Sequence, residues 1–168
     1  SSENVLERFY ECSKLFHGDI IVRLTADNPL IDPELVDDVI KKSIDTKCDY
    51  ATNMLSNTFP HHGYLAEAMS FNILEQLYNT KKDPLSEEHI TYDLRINHTS
   101  YHVEHIRAPK SYERPNWRLT LDYQEDFELI SKIFSELYDD NSFIKYESVV
   151  KFLDENPDLL NINSIHNV

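Results

Sequence analysis

Asp27 lies two residues beyond the apolar run Asp19-Ile20-Ile21-Val22-Arg23-Leu24-Thr25, and Asp122 directly follows Trp117-Arg118-Leu119-Thr120-Leu121. Each is a carboxylate just past a strand-like segment, and open α/β sheets bind ligands beyond the carboxyl ends of their strands. Asn28 and Pro29 keep the backbone off a helical path, so the Asp27 side chain is directed toward a crevice. Two aspartates placed this way suit Mg²⁺, which takes one or two carboxylates and completes its octahedron with water and substrate phosphate. The local alternatives are an ordinary turn at Asp27 and Asn28, and a helix cap at Asp122 forming a capping box with Glu125.

Arg23, on the first of these segments, has the charge to meet a phosphate or to pair with one of the 30 acidic residues. Gly18 and Gly63 are the two glycines of the chain, so no glycine-rich loop can wrap a triphosphate. His61-His62 and His102-x-x-His105 do not read as a zinc site, because adjacent strand positions, and positions three apart, face opposite ways. Cys12 falls on an amphipathic helix without a neighbouring base, which argues against nucleophilic catalysis.

The elements that must position these groups follow α/β grammar. Val5, Leu6, Phe9, Tyr10, Ser13 and Phe16 recur at helical spacing after a capping Ser2, and Gly18 ends that helix. The run 19–25 is β-branched and almost continuously apolar, which predicts a buried parallel strand. Asp32 as N-cap and Pro33 at the first helical position start a second helix with the stripe Leu35, Val36, Val39, Ile40 and Ile44. Further strands are expected at 50–53, 65–70, 101–106 and 117–121, and helices at 71–78, 87–96 and 146–156. Another helix follows Asp122, with Phe127, Leu129, Ile130, Ile133, Phe134 and Leu137 as its apolar face. The polar loop with Pro60, His61, His62 and Gly63 is expected to border a cleft. No repeat or linker interrupts the pattern, so residues 1–168 read as one domain.

Composition narrows the function. A chain of 168 residues can bury a real core, and 40% hydrophobic with 11% aromatic content excludes disorder. A net charge of −14 opposes binding to nucleic acid or an anionic membrane, and a small anionic ligand would need a bridging cation. Two cysteines, no signal-peptide pattern and no long apolar run point to the cytoplasm.

Val22-Arg23-Leu24-Thr25-Ala26-Asp27-Asn28-Pro29-Leu30-Ile31-Asp32-Pro33 resembles the segment R-I/L-T-G-D-x-P-L-I-D-P of the spore-coat-polysaccharide type of cytidylyltransferase. Ser2-Glu3-Asn4-Val5-Leu6-Glu7-Arg8-Phe9-Tyr10 resembles its S-E-x-x-V-L-x-R-Y-Y, and Glu88-His89-Ile90-Thr91 its E-H-V-T. Leu119-Thr120-Leu121-Asp122, with Glu125-Asp126-Phe127-Glu128-Leu129-Ile130, is similar to its L-T-V-D-T-P-E-D-F-E-L-I. The order agrees throughout, and the resemblance covers about Ser2 to Leu137.

That resemblance implies a nucleotide-diphospho-sugar transferase-like, Rossmann-like α/β sheet flanked by helices, related to the acylneuraminate and keto-deoxy-octulosonate cytidylyltransferases. It implies CMP transfer from CTP to a sugar or sugar acid, with Asp27 and Asp122 as Mg²⁺ ligands. Arg23, Asn28, Asn53, Glu67 and His89 are the candidate nucleotide- and substrate-binding residues. Three departures stand out. Ala26 replaces the family's usual glycine, which a loop tolerates if φ is negative. Gly63-Tyr64-Leu65-Ala66-Glu67 aligns with G-L-D-V-E, with Leu65 in place of the aspartate and Glu67 retained. Tyr123-Gln124 replaces Thr-Pro after Asp122, leaving more of the helix start to the capping box. The family's N-terminal strand and triphosphate-gripping loop have no counterpart here, so the expectation is an N-terminally truncated form, the C-terminal two-thirds of the fold. The rival readings are a metal-dependent glycosyltransferase of related fold and an inactive remnant serving as an interaction module. CTP and a small sugar are the expected partners, nucleic acid and membrane are not, and a homodimer is the assembly allowed for.

Overall fold

The computed structural model describes residues 4–60, 62–80 and 84–167. Among them β1 (Ile20–Arg23), β2 (Tyr50–Thr52), β3 (Glu67–Ser70) and β4 (Val103–His105) form one sheet in the order β1-β3-β2-β4. β3 runs antiparallel to both neighbours, and β2 and β4 are parallel. The sheet is flanked by α1 (Val5–Leu15), α2 (Pro33–Thr46), α3 (Phe71–Thr80), α4 (Pro84–Glu88), α5 (Tyr92–Ile96), α6 (Gln124–Leu137) and α7 (Tyr146–Glu155).

Side chains alternate across a strand, so consecutive residues of the central strands feed opposite cores. Ala51 and Ala68 join Leu35 and Val39 of α2, Leu129 and Ile133 of α6, and Val149 and Leu153 of α7. Tyr50 and Met69 join Leu6 and Tyr10 of α1, Leu74 and Leu77 of α3, and Leu94 of α5. Burying each large aliphatic side chain contributes roughly 1.5–3 kcal/mol, and this holds the short helices that propensity alone would not.

The start of α2 follows the local sequence closely. Asp32 caps α2, Oδ1 accepting from the Glu34 N–H at 2.8 Å, with Pro33 in the first turn. Its other oxygen, Oδ2, accepts from the Tyr146 N–H at 2.8 Å, so one buried carboxylate ties the starts of α2 and α7. Asn4 caps α1, accepting from the Glu7 N–H at 2.8 Å. The Ser2 expected there lies outside the described residues.

Four expectations are corrected. The run 19–25 becomes β1, an edge strand among the described strands and antiparallel to β3, not a buried parallel one. Ile21 is its one buried residue and Leu24 just beyond it is 44% exposed; a continuous β-branched run fits an edge as well as a centre. The stretch 117–121 forms no ladder beyond an isolated Arg118–His62 bridge, because its N–H groups go to two different loops. The helix expected at 87–96 is broken into α4 and α5 by a turn in which the Tyr92 N–H donates to the His89 carbonyl at 2.8 Å. At α6 the reach-back carboxylate is Asp126, not Glu125. Its Oδ2 accepts from the Asp122 and Tyr123 N–H groups, each at 3.1 Å, with Tyr123 in the N-cap position and Asp122 one residue outside. Among the described residues no helix is long and apolar enough to cross a membrane.

Candidate active site

Asp27 and Asp122 line one cleft of about 510 Å³, together with Arg23, Thr25, Asn28 and Thr120 on their own segments. The other lining residues come from 62–65, from Met54, and from the α4–α5 region, where Leu85, His89, Tyr92 and Arg95 contribute. Cavities of about 530 and 590 Å³ elsewhere bring in Lys14 and His17, or Lys47 and Asp49, without a carboxylate pair. Size therefore does not choose the site; the chemistry of the lining does.

The Asp27 loop is built from consecutive turns. Asn28 N–H donates to the Thr25 carbonyl at 3.2 Å, Asn28 Nδ2 to Thr25 Oγ1 at 2.9 Å, and Ile31 N–H to the Asn28 carbonyl at 3.1 Å. Ala26 is absent from the positive-φ residues, so its added methyl meets the condition set by the sequence. The loop is fastened to the second acidic segment by the Leu121 N–H and Thr120 Oγ1, which donate to the Asp27 carbonyl at 2.8 and 3.1 Å.

Behind Asp122 stands a buried charge network. Arg118 donates from Nε to Asp126 Oδ1 at 3.0 Å and from Nη2 to Asp126 Oδ2 and Asp122 Oδ2, both at 2.8 Å. Asn163 adds a bond to Asp126 Oδ1 at 2.8 Å and one to the Arg118 carbonyl at 3.0 Å. Burial alone would raise the Asp126 pKa, but the bonds from Arg118, Asn163 and the two backbone N–H groups outweigh it and hold the group at about 2. Asp126 is thus a structural anion that orients Arg118, and Arg118 orients Asp122.

On the β1–β3 side, fully buried Glu67 accepts from Arg23 Nη1 at 2.5 Å and from the Tyr50 hydroxyl. Burial, then the Glu67 charge, pushes the Tyr50 phenol well above its ordinary value, so it remains a neutral donor. Asn53 is buried, with Nδ2 on the Tyr64 carbonyl and Oδ1 accepting from the Ala66 N–H at 3.0 Å.

Of the residues singled out from sequence, Arg23, Asp27, Asn28, His89 and Asp122 therefore meet at the cleft, while Asn53 and Glu67 stand behind its lining. Sequence reasoning missed Arg118 and Asp126, although both lie four positions from Asp122, and it missed Arg95, for which no local signal existed. The polar loop does border the cleft through His62 and Gly63; His61 lies outside the described residues.

The donor set has room for a hard cation. Asp27 Oδ1 is buried without a hydrogen-bond partner among the described residues, and the Asp122 side chain is 46% exposed with Oδ2 alone engaged by Arg118. No cluster of three or more His, Cys, Asp or Glu that could hold a metal ion occurs among the described residues.

A helix-flanked sheet with two acidic segments laced together at one cleft defines a mixed α/β fold with a candidate ligand site. The chain superimposes on a cytidylyltransferase from Leptospira borgpetersenii with a TM-score of 0.87 at 25% identity, over 95% of this chain and 66% of that one. A sequence model described as cytidylyltransferase matches residues 1–156, and the chain belongs to that family. It is 32% identical over 98% of its length to an uncharacterized protein of Methanocaldococcus jannaschii, covering 65% of that protein. It is 31% identical over 94% of its length to the spore coat polysaccharide biosynthesis protein SpsF of Bacillus subtilis, covering 64% of it. The chain thus spans a little under two-thirds of these two relatives.

Proposed function

We propose that residues 1–168 form a single cytidylyltransferase-like domain whose cleft takes part in transferring CMP from CTP to a sugar or sugar acid, with release of pyrophosphate. The observation that carries this reading is the meeting of Asp27 and Asp122 at one cleft, with Asp27 Oδ1 buried and unpartnered. In the reaction a sugar hydroxyl oxygen forms a bond to the α-phosphorus, the bond to the pyrophosphate oxygen breaks, and the hydroxyl proton is released. Asp27 and Asp122 would hold Mg²⁺, which supplies neutralisation of charge on the phosphate oxygens. Arg118 restrains one Asp122 oxygen, so that this carboxylate would be held in place for the cation. Arg23, oriented by Glu67, is suited to a phosphate oxygen, and His89 to a sugar hydroxyl.

The name of the Bacillus subtilis relative supports a place in surface polysaccharide biosynthesis. A cytoplasmic setting fits a reaction that uses CTP. Incubation with CTP, Mg²⁺ and a panel of sugars and sugar acids should release pyrophosphate, and Asp27→Asn should abolish that release. Unchanged release by the variant would sink the metal assignment. Sugar transfer from a nucleotide-sugar without pyrophosphate release would favour glycosyl transfer instead.

A further inference from the structure

The cleft contains a cation with no carboxylate partner among the described residues. Arg95, in the last turn of α5, is half-buried and lines the cleft shared by Asp27 and Asp122. Its guanidinium makes one described hydrogen bond, from Nη1 to the Met54 sulfur at 3.2 Å. A thioether is a weak, uncharged acceptor. The other described arginines that are not fully exposed each have a carboxylate: Arg23 has Glu67 at 2.5 Å, Arg114 has Asp154 at 2.5 Å, and Arg118 has Asp122 and Asp126 at 2.8 Å.

In a chain with 30 acidic and 16 basic residues, a carboxylate partner is easy to supply. A guanidinium that lines a cleft with no described carboxylate partner keeps its fork of donors free for an anion that arrives with the ligand. Nearby charge does not fill that role. Glu67 is already paired with Arg23. The cleft thus carries Asp27 and Asp122 on the segments laced at 27 and 121, and on α5 a guanidinium without a described ion pair.

We propose that Arg95 is an anion-binding residue of this cleft, receiving a carboxylate or phosphate group of the bound molecule. Its planar fork matches either group in two parallel hydrogen bonds. The inference rests on the nucleotidyl-transfer reading only for the identity of that molecule, where the group is either a phosphate of the nucleotide or the carboxylate of a sugar acid.

Calorimetric titration at low ionic strength, without metal or nucleotide, tests it with inorganic pyrophosphate as the phosphate probe and gluconate as the carboxylate probe. Arg95→Met should weaken binding of at least one probe by about tenfold or more, with Arg95→Lys in between. The unfolding temperature of Arg95→Met should stay within about 2 °C of the parent, since no ion pair is lost. A loss confined to pyrophosphate supports the proposal with a phosphate as the source; a loss confined to gluconate supports it with a carboxylate. Equal affinities of parent and Arg95→Met for both probes, or no binding of either by the parent, overturn it. Arg95-dependent anion binding in a chain that releases no pyrophosphate from CTP would overturn the transfer reading alone.

Discussion

The main-chain N–H of Leu121 donates to the Asp27 carbonyl at 2.8 Å, and the neighbouring Thr120 hydroxyl reaches the same oxygen at 3.1 Å. Two acidic segments far apart in sequence are fixed against each other through backbone, leaving both carboxylates available to the cleft. Such an arrangement separates ligand binding from folding: the side chains can be altered while the lacing that positions them remains.

Asp27→Asn should therefore lower CTP-dependent pyrophosphate release by about 100-fold or more while leaving thermal stability equal or slightly higher. Stability holds because Asp27 Oδ1 has no hydrogen-bond partner among the described residues, so the substitution breaks no described side-chain bond. Paired measurements of pyrophosphate release and unfolding temperature check this. A loss of both together would mean that Asp27 is structural.

The Arg118–Asp126 pair should make stability fall at acid pH. Asp126 is held at about 2, below its ordinary 3.8, so its ionised form stabilises the fold. That contribution is full above about pH 4 and is lost as pH falls toward 2, on the order of 2 kcal/mol. Asp126→Asn should cost about 3–5 kcal/mol at pH 7 because it leaves buried Arg118 without its main partner. Urea midpoints between pH 7 and 2.5 should show the gap between parent and variant narrowing below pH 4.

Gly63→Ala should be among the most damaging single-methyl changes. Gly63 has φ +118°, and a Cβ there would lie 2.3 Å from the Leu119 carbonyl carbon. The clash is with backbone, so relief requires opening the Leu119 N–H to His62 carbonyl bond, now 2.7 Å, which anchors the Asp122 segment. A loss of roughly 2–4 kcal/mol in urea unfolding is expected, with weakened ligand binding in whatever fraction folds.

Asp32→Ala should remove the cap of α2 and the tie to α7 together, costing about 2–3 kcal/mol. Asp32→Asn keeps one acceptor oxygen and should lose roughly half as much, since the Glu34 and Tyr146 N–H groups then compete for it. Chemical denaturation of both variants distinguishes this double cap from a single helix cap, for which asparagine would be nearly neutral.

The legible features share a local cause. Asp32-Pro33 starts α2 where the dipeptide says it should, and the Asp27 loop turns where Asn28-Pro29 directs it, because capping and φ restriction act within a few residues. Expectations failed where pairing partners had to be chosen. The 117–121 segment has strand composition, but two loops meet it in place of a neighbouring strand. Asp126 displaced Glu125 as the reach-back group because Arg118, 8 residues before it, and Asn163, 37 residues after it, converge on its carboxylate.

From sequence by itself came the α/β class, the Asp32-Pro33 start of α2, the two aspartates that meet at the cleft and the resemblance to cytidylyltransferases. Tertiary structure decided that β1 is an antiparallel edge among the described strands, that Asn53 and Glu67 support the cleft from behind, and that Arg95 lines it with no carboxylate partner among the described residues. Local sequence restricts dihedral angles and hydrogen bonds across a turn. Which charges meet, and which are left for a ligand, depends on how segments dozens of residues apart exclude water together.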